Sequence, residues 1–421
     1  MNIIITGGGW AGCSAAYSAR KQGADVVLLE RTDSLLGTGL VGGIMRNNGR
    51  YTATEEMIAM GGGDIFKIID ENCRHTNISF PGHEHASLYD IAKTPIAITN
   101  YLKEIGVEIR LQERVAKAQM TDGVITSVET SSGNVYKGDA FIDTTGTAGP
   151  ISNCSKYGNG CAMCAIRCPS FGGRISLAGI CGVPERTGEK ANGSIGAMSG
   201  SCKIYKESLA PEIVDTLNRT GVAVIPLPKE LIEDHLSEKA CQQYALKEYA
   251  ENIILLDTGH AKLMSPFYPL DKLHKIPGFE NARYEDPYAG GKGNSMRFFD
   301  MSPRTNALQV EGLNNLFCAG EKAGLLVGHT EAIVTGVLAG YNCTRFLNNK
   351  PLLELSRKTA IGEAIAYVKE EMQTKEGFGK KYTFSGSVLL EHMKKLELYE
   401  TSITKIEENI KKESLWNVFA S

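Results

Sequence analysis

A strand–turn–helix–strand unit at residues 3–30 constrains this chain more than any other feature. An apolar run leads into a Gly-x-Gly-x-x-Gly turn, a helix of small residues follows, and a second apolar run ends in an acid. In such a unit the glycines permit the tight turn, close approach of the backbone to a pyrophosphate, and close packing of helix on strand. The helix N-terminus faces the phosphates, and the acid can hold a ribose hydroxyl. The unit therefore predicts a dinucleotide site made of Gly7, Gly9, Trp10, Ala11, Gly12, Glu30 and Arg31.

Length and charge exclude some classes of protein. The 421 residues, 42% hydrophobic and 22% charged, are typical of an ordinary globular protein with two or three domains. No apolar run reaches membrane-spanning length, and the first strand begins at residue 2, which leaves no room for a signal peptide. We therefore expect a cytoplasmic protein without a membrane partner. The net charge of −3 gives no basic footprint, so nucleic acid is not expected as a partner.

Changes in composition along the chain predict its organisation. Residues 1–150 and 301–360 have the strand and turn patterns of one cofactor-binding domain. Residues 151–300 are rich in cysteine and glycine and read as an inserted α+β domain for the substrate. Residues 361–421 read as a charged helical appendage. Within these segments we expect a loop at 31–60, helices at 64–76, 91–105 and 229–253, and a small β-meander at 113–137.

Two further segments point to the same cofactor as the first unit. The strand in 139–149 ends in a small-residue turn that contains Thr145 and Gly146, and the strand in 312–321 closes on Gly320-Glu321 before a Gly- and Ala-rich helix. In order and spacing, the three segments resemble the glutathione-reductase-like class of FAD-binding proteins. The resemblance implies an α/β fold with a Rossmann-like domain, FAD as cofactor, and a last helix that points its N-terminus at the flavin. A distinct second fingerprint for NAD(P)H, in the strand–turn–helix–strand context of the first, is absent from the sequence.

The third segment is more specific. The stretch AGEKAGLLVGHTEAIVTGVLAGYN at 319–342 resembles the GidA-like flavoproteins, which include a tRNA wobble-uridine-modifying protein and a folate- and FAD-dependent uracil-5 methyltransferase of RNA. Those methyltransferases use a cysteine soon after the fingerprint, and residues 40–56 here contain none, which argues against that activity. The resemblance implies that the flavin site includes Gly320, Glu321, Gly328, Thr330, Glu331 and Ala332. We assign Gly39 and Val115 to the same cofactor site.

A cluster of cysteines is the second informative pattern. Cys154, Cys161, Cys164 and Cys168 fall within fifteen residues, and the last three form a CxxCxxxCP run like the end of a ferredoxin motif. We favour a [4Fe–4S] cluster, with Cys181 as an alternative fourth ligand. A structural zinc site, a redox-active pair at Cys161 and Cys164, and simple packing of thiols stay open as alternatives.

These patterns together predict an FAD-dependent oxidoreductase that acts on a small organic substrate and exchanges electrons with ferredoxin or a similar protein through the cluster. A homo-oligomer is expected. His329, just before the flavin-facing helix, is a candidate proton donor or a helix cap. Arg174 and Arg304 are candidate anchors for a carboxylate or phosphate. The alternatives are a GidA-like RNA-modifying flavoprotein and an electron-transfer subunit of a larger complex.

Overall fold

The computed structural model describes residues 1–146, 175–189, 193–195, 197–198, 201–233, 246–265, 268–285, 296–297 and 299–420. Its strands, in chain order, are β1 (Asn2–Thr6), β2 (Asp25–Leu29), β3 (Ile44–Met45), β4 (Cys73–Phe80), β5 (His83–Tyr89), β6 (Glu108–Arg110), β7 (Val115–Thr121), β8 (Val124–Thr130), β9 (Val135–Lys137), β10 (Ala140–Asp143), β11 (Arg186–Thr187), β12 (Ala197–Met198), β13 (Cys202–Ile204), β14 (Val222–Pro226), β15 (Asn252–Asp257), β16 (Ala261–Leu263), β17 (Met296–Arg297), β18 (Asp300–Met301) and β19 (Leu316–Cys318).

The α-helices of the described residues lie mostly in the first and last parts of the chain. They are α1 (Trp10–Lys21), α2 (Gly49–Ala59), α3 (Asp64–Glu71), α4 (Lys93–Glu104), α5 (Leu177–Ile180), α6 (Pro211–Thr220), α7 (Glu248–Glu251), α8 (Leu270–Leu273), α9 (His329–Leu347), α10 (Ala360–Glu371), α11 (Lys375–Phe378), α12 (Ser387–Lys395) and α13 (Ile403–Lys412). None of these helices is both long and apolar enough to cross a bilayer.

A five-stranded parallel sheet, in the order β19-β10-β1-β2-β6, forms the centre of the cofactor-binding part. Strand β1 lies in the middle, and its Ile3, Ile4 and Ile5 are at most 1% exposed. A parallel strand covered on both faces needs a continuous apolar run, which is the pattern that this segment has. The carboxyl ends of β1, β10 and β19 lie together because the three strands are parallel neighbours.

Helices α1 and α9 pack against each other unusually closely. A side-chain carbon at Gly336 or Gly340 would clash with the carbonyl oxygens of Ala11 and Ala15. The Ser18 hydroxyl donates a hydrogen bond of 2.8 Å to a carbonyl of α9. Glycine in α9 thus brings the N-termini of both helices to the same edge of the sheet.

A second sheet of four antiparallel strands, in the order β13-β16-β15-β14, has its own apolar core around Leu255, Leu273 and Phe279. In the described residues of this unit, the prediction of one helix over 229–253 is wrong. Helix α7 is one turn long, and β15 begins at Asn252 because Ile253, Leu255 and their neighbours pair with β14 and β16 as a buried apolar run. Residues 234–245 lie outside the described residues.

Two other local predictions also differ from the structure. The loop predicted at 31–60 contains helix α2, and the helix predicted at 64–76 ends at Glu71, after which β4 begins. Strand β5 follows, and its first residue, His83, is 2% exposed. Strand pairing overrides local propensity after Glu71, because β4 pairs with β5 and β5 pairs with β3.

The C-terminal helices belong to the main core. Phe384, Leu389, Met393 and Ile410 are fully buried in the cluster that also contains the central sheet. The predicted fold class is confirmed: a Rossmann-like α/β unit, a second α+β unit and a helical C-terminal region are all present. The apolar residues of 361–421 thus complete this core. The exact domain boundaries stay a prediction.

Candidate functional site

The fingerprint turn joins β1 to α1 and leaves one face of its backbone open. Gly7 has φ +102°, and a side-chain carbon there would lie 2.5 Å from the Thr144 carbonyl oxygen. A side-chain carbon at Gly12 would clash with the Gly7 carbonyl. At Gly9, by contrast, a side-chain carbon would meet no atom of the described residues within 4 Å. The conformation of the turn therefore requires glycine at positions 7 and 12, whereas the backbone at Gly9 is accessible to a ligand.

Glu30 is buried behind the same turn, at 6% exposure. Its Oε2 accepts a hydrogen bond of 2.7 Å from Gly8 N–H, and its Oε1 accepts from the backbone and hydroxyl of Thr32 at 2.8 and 2.9 Å. The carboxylate is thus fixed in direction. Oε2, which accepts one of these bonds, keeps further acceptor capacity, which suits a ribose hydroxyl. Arg31 follows as a half-buried residue.

A second turn, after β10, packs directly on the first. The Thr144 hydroxyl donates to the carbonyl oxygens of Thr6 and Gly7 at 2.9 and 2.7 Å. Thr145 donates through its backbone and its hydroxyl to Asp143 Oδ1, and Gly146 has φ +68°. The other oxygen of Asp143 accepts from backbone N–H groups at the start of α5. These bonds hold the predicted small-residue turn at the carboxyl end of the sheet.

The closing turn after β19 meets α1 from the other side. Gly320 has φ +65°, and a side-chain carbon there would lie 3.0 Å from Ala11 Cβ. The Gly320 N–H donates to Thr335 Oγ1 at 2.9 Å, which ties the turn to α9. Ala332 lies beside the same turn, and Glu321 is half-buried within it.

Among the residues that the structure describes, neither α1 nor α9 has an N-cap side chain, since their N-cap residues are Gly9 and Gly328. The first N–H groups of a helix have no partner within the helix and attract negative charge. The two ends that converge on this edge therefore suit two electron-rich groups of one ligand. FAD has such groups in its pyrophosphate and in its flavin ring, and the residues present fit it.

An aromatic cluster lies between these two helix ends. Trp10 packs edge-on against Tyr89 with ring centroids 5.8 Å apart, and its centroid lies 6.2 Å from that of His329. The Tyr89 hydroxyl donates to the Gly39 carbonyl at 2.7 Å. A side-chain carbon at Gly42 would lie 2.6 Å from His329 Nδ1. The structure thus brings the predicted Trp10, Gly39 and His329 together, and it adds Tyr89, which no local motif marks.

The motif places Glu331 at the flavin site, and in the structure its side chain joins three segments of the chain. It is fully buried, and its carboxylate accepts from Thr383 Oγ1 at 2.7 Å and from Phe384 N–H at 2.8 Å. The Arg50 guanidinium forms an ion pair with it at 3.2 Å. The side chain therefore ties the first turn of α9 to α2 and to the C-terminal segment. Thr330, also buried, lies against Met45.

The remaining predicted residues lie away from this cluster or outside the described residues. Val115 is a buried residue at the start of β7. Arg304 is no anion anchor: its guanidinium donates to the carbonyl oxygens of Ala323 and Ile365, and burial lowers its pKa to about 10. Arg174 and the four cysteines Cys154, Cys161, Cys164 and Cys168 lie outside the described residues. In the described parts, no group of three or more His, Cys, Asp or Glu side chains is arranged to hold a metal ion.

This chain is similar in sequence and in fold to a known family of flavoproteins. A family model described as glucose inhibited division protein A matches residues 2–265 and 258–351. The crystal structure of GidA from Aquifex aeolicus superimposes with a TM-score of 0.66 at 17% identity, covering 98% of this chain and 76% of that one. The fold is therefore that of the Rossmann-like, FAD-binding flavoproteins. The chain belongs to the GidA family.

Two kinds of relative differ in how much of the chain they match. The tRNA uridine 5-carboxymethylaminomethyl modification enzyme MnmG of Chlorobium phaeovibrioides is 23% identical over 430 aligned positions, which cover 89% of this chain and 67% of that enzyme. The methylenetetrahydrofolate–tRNA-(uracil-5-)-methyltransferase TrmFO of Thermosipho melanesiensis is 35% identical, but over 24% of this chain and 23% of that enzyme.

These findings correct two predictions. The oxidoreductase of a small organic substrate with an iron–sulfur relay is wrong, because the chain is a GidA protein along most of its length and the long-matching relatives modify tRNA. The expectation of a small-molecule substrate and of no nucleic acid is wrong for the same reason. A net charge of −3 sums over the whole chain and says nothing about the charge of one face.

Proposed function

We propose that this chain is an FAD-dependent enzyme that modifies a uridine of tRNA. The observation that supports this most is the family match over residues 2–351, which includes the fingerprint turn, the turn after β10 and the closing turn before α9. The MnmG relative also matches across 89% of this chain, so the likeness extends beyond the cofactor motifs into the second unit.

The residues have separate tasks in this proposal. The backbone at Gly9 and the first turn of α1 bind the pyrophosphate, and Glu30 holds the adenosine ribose. The turn at Gly320 and the N-terminus of α9 face the flavin end of the cofactor, where a positive helix end favours the anionic reduced flavin. When bound, FAD supplies two-electron oxidation or reduction of the uracil or of its modifying carbon unit.

His329 is the candidate for proton transfer in this site. It is the first residue of α9, is half-buried, and its ring lies against Gly42 and near Trp10. An imidazole titrates near neutral pH and can give or take a proton beside a redox cofactor. Trp10 lies on the side of the fingerprint turn, with its ring centroid 6.2 Å from that of His329.

The methyltransferase activity of the TrmFO relative is not proposed here. That likeness covers 24% of this chain, although the identity within it is 35%. The segment 40–56, where the methyltransferases were expected to carry a cysteine, has none. In the structure this segment forms β3 and α2, and its Arg50 and Asn47 belong to the network around Glu331.

The proposal is tested in the host that carries this gene. Total tRNA from cells with and without the gene is digested to nucleosides and compared by mass spectrometry. We expect one modified uridine to disappear without the gene and its precursor to accumulate. Plasmid-borne wild-type protein restores the modification, whereas the matched Gly9→Ala variant, whose new methyl group projects onto the pyrophosphate position, restores little of it. Identical uridine profiles with and without the gene would contradict the proposal.

A further inference from the structure

A buried lysine of the second unit reaches the loop beside the candidate flavin site. Lys262 lies on β16 and is 5% exposed. Its Nζ donates a hydrogen bond of 2.8 Å to the carbonyl oxygen of Val41, and it also donates to Ser201 Oγ. Burying the Lys262 amine costs desolvation free energy. The hydrogen bond that it donates from β16 to the loop at Val41 therefore has to bring a structural or functional gain.

The loop that Lys262 holds, residues 39–43, carries the contacts of the aromatic cluster. Its Gly39 carbonyl accepts from the Tyr89 hydroxyl, and its Gly43 carbonyl accepts from Tyr89 N–H at 3.0 Å. Gly42, next to Val41, packs on the ring of His329. Lys262 is therefore one residue removed from the contact between this loop and the N-terminus of α9.

The charges around Lys262 do not favour its ammonium form. Its hydrogen-bond partners among the described residues are neutral oxygens. Lys203 is its direct partner across β13 and β16. Burial, and then the positive charge of Lys203, lower the pKa of Lys262 to about 7, while Cys202 opposes the shift. On the side of loop 39–43, the titratable groups that lie against Gly42 are the Tyr89 hydroxyl and the His329 imidazole.

We propose that Lys262 is a positioning residue for FAD, through which the second unit holds loop 39–43 against the N-terminus of α9 and so completes the cofactor site. This inference rests on the proposed function. The ammonium form donates stronger hydrogen bonds than the neutral amine and attracts an anionic cofactor. FAD therefore binds more tightly below the pKa of this group than above it.

The test measures the dissociation constant of FAD from apoprotein by flavin fluorescence at pH 6 and pH 8. We expect Lys262→Met to weaken binding about tenfold at pH 6, the effect of one lost hydrogen bond from a charged donor, and to remove most of the difference between the two pH values. Lys262→Arg, which keeps a charge at both pH values, is expected to restore tight binding with little pH dependence.

Lys203→Met is the matched variant on the facing strand. It removes the same type of side chain but leaves the bond to Val41, so we expect it to keep tight binding and to shift the pH midpoint upward. Thermal unfolding of each variant separates lost folding from lost positioning. If wild-type protein binds FAD and Lys262→Met binds it within twofold at both pH values, the inference is wrong. If wild-type protein binds no FAD, the proposed function itself fails.

Discussion

The two helix ends that meet at the candidate site are built in opposite ways. At the N-terminus of α1, no atom in the described part of the chain lies within 4 Å of where a Gly9 side chain would begin. At the N-terminus of α9, Gly328 has φ +148°, and a side chain there would clash with Arg50 and Glu331. One end is left free for a ligand, whereas the other is anchored from behind by a buried ion pair.

The contrast shows how one fold combines binding with alignment. The open end can accept a pyrophosphate because glycine removes the side chain that would cover the N–H groups. The anchored end holds its direction because Glu331 binds residues from α2 and from the 383–384 segment. Three stability experiments break or sharpen this comparison, and one binding measurement tests it directly.

The largest effect is expected from Gly12→Ala. The added methyl group clashes with the Gly7 carbonyl oxygen, a backbone atom that cannot move without opening the turn. We expect a loss of more than about 4 kcal/mol in the free energy of unfolding, measured by chemical denaturation. Gly9→Ala, which adds the same atom in open space, is the control and should change stability little. Equal stability of the two variants would show that the turn is not packed as described.

The next effect is expected at the anchored end. Glu331→Gln removes the carboxylate charge that pairs with the buried Arg50 guanidinium, and breaking such a pair costs about 3 kcal/mol. The double variant Arg50→Met/Glu331→Gln should recover part of that loss, because no unpaired charge stays buried. Denaturation curves of the two single variants and the double variant measure the coupling. Additive losses would mean that Arg50 and Glu331 do not act as a pair.

The smallest effect is a pH dependence of stability at Lys262, which joins the second unit to the site. The amine loses its proton near pH 7 in the folded chain and near its ordinary value of 10.5 in the unfolded one. Between these values the unfolded state binds more protons, so the contribution of this group to stability rises with pH, by about 1 kcal/mol from pH 7.5 to 8.5. The difference between wild-type protein and Lys262→Met should show that slope, and a flat difference would contradict the lowered pKa.

The sequence predicted the open end better than the anchored end. The fingerprint is local, since Gly7, Gly9 and Gly12 lie within six residues between an apolar strand and a helix of small residues, and this context predicts the turn. Glu331 was also found by its motif, but its partners Arg50 and Thr383 lie far away along the chain, and no spacing rule links them. The sequence therefore predicted that Glu331 lies at the start of α9, but it did not predict the hydrogen bonds that its side chain makes.

Long-range packing explains the other differences. Nothing near His83 in the sequence marks it as buried; it is buried because β5 pairs with β3 and β4 and because Asn47 bonds its ring at 2.9 Å. No sequence motif marks Lys262, because its hydrogen bond to Val41 forms between two units that are far apart along the chain. The prediction of a metal cluster at Cys154, Cys161, Cys164 and Cys168 stays a prediction, outside the described residues.

The most direct test of the central claim is calorimetric titration of FAD into apoprotein, compared between wild type and Gly9→Ala. If the open end of α1 receives the pyrophosphate, wild-type protein binds one FAD per chain, and the variant binds at least about tenfold more weakly while unfolding at the same temperature. Binding of equal strength in both proteins, or no binding by the wild type, would contradict this account of the site.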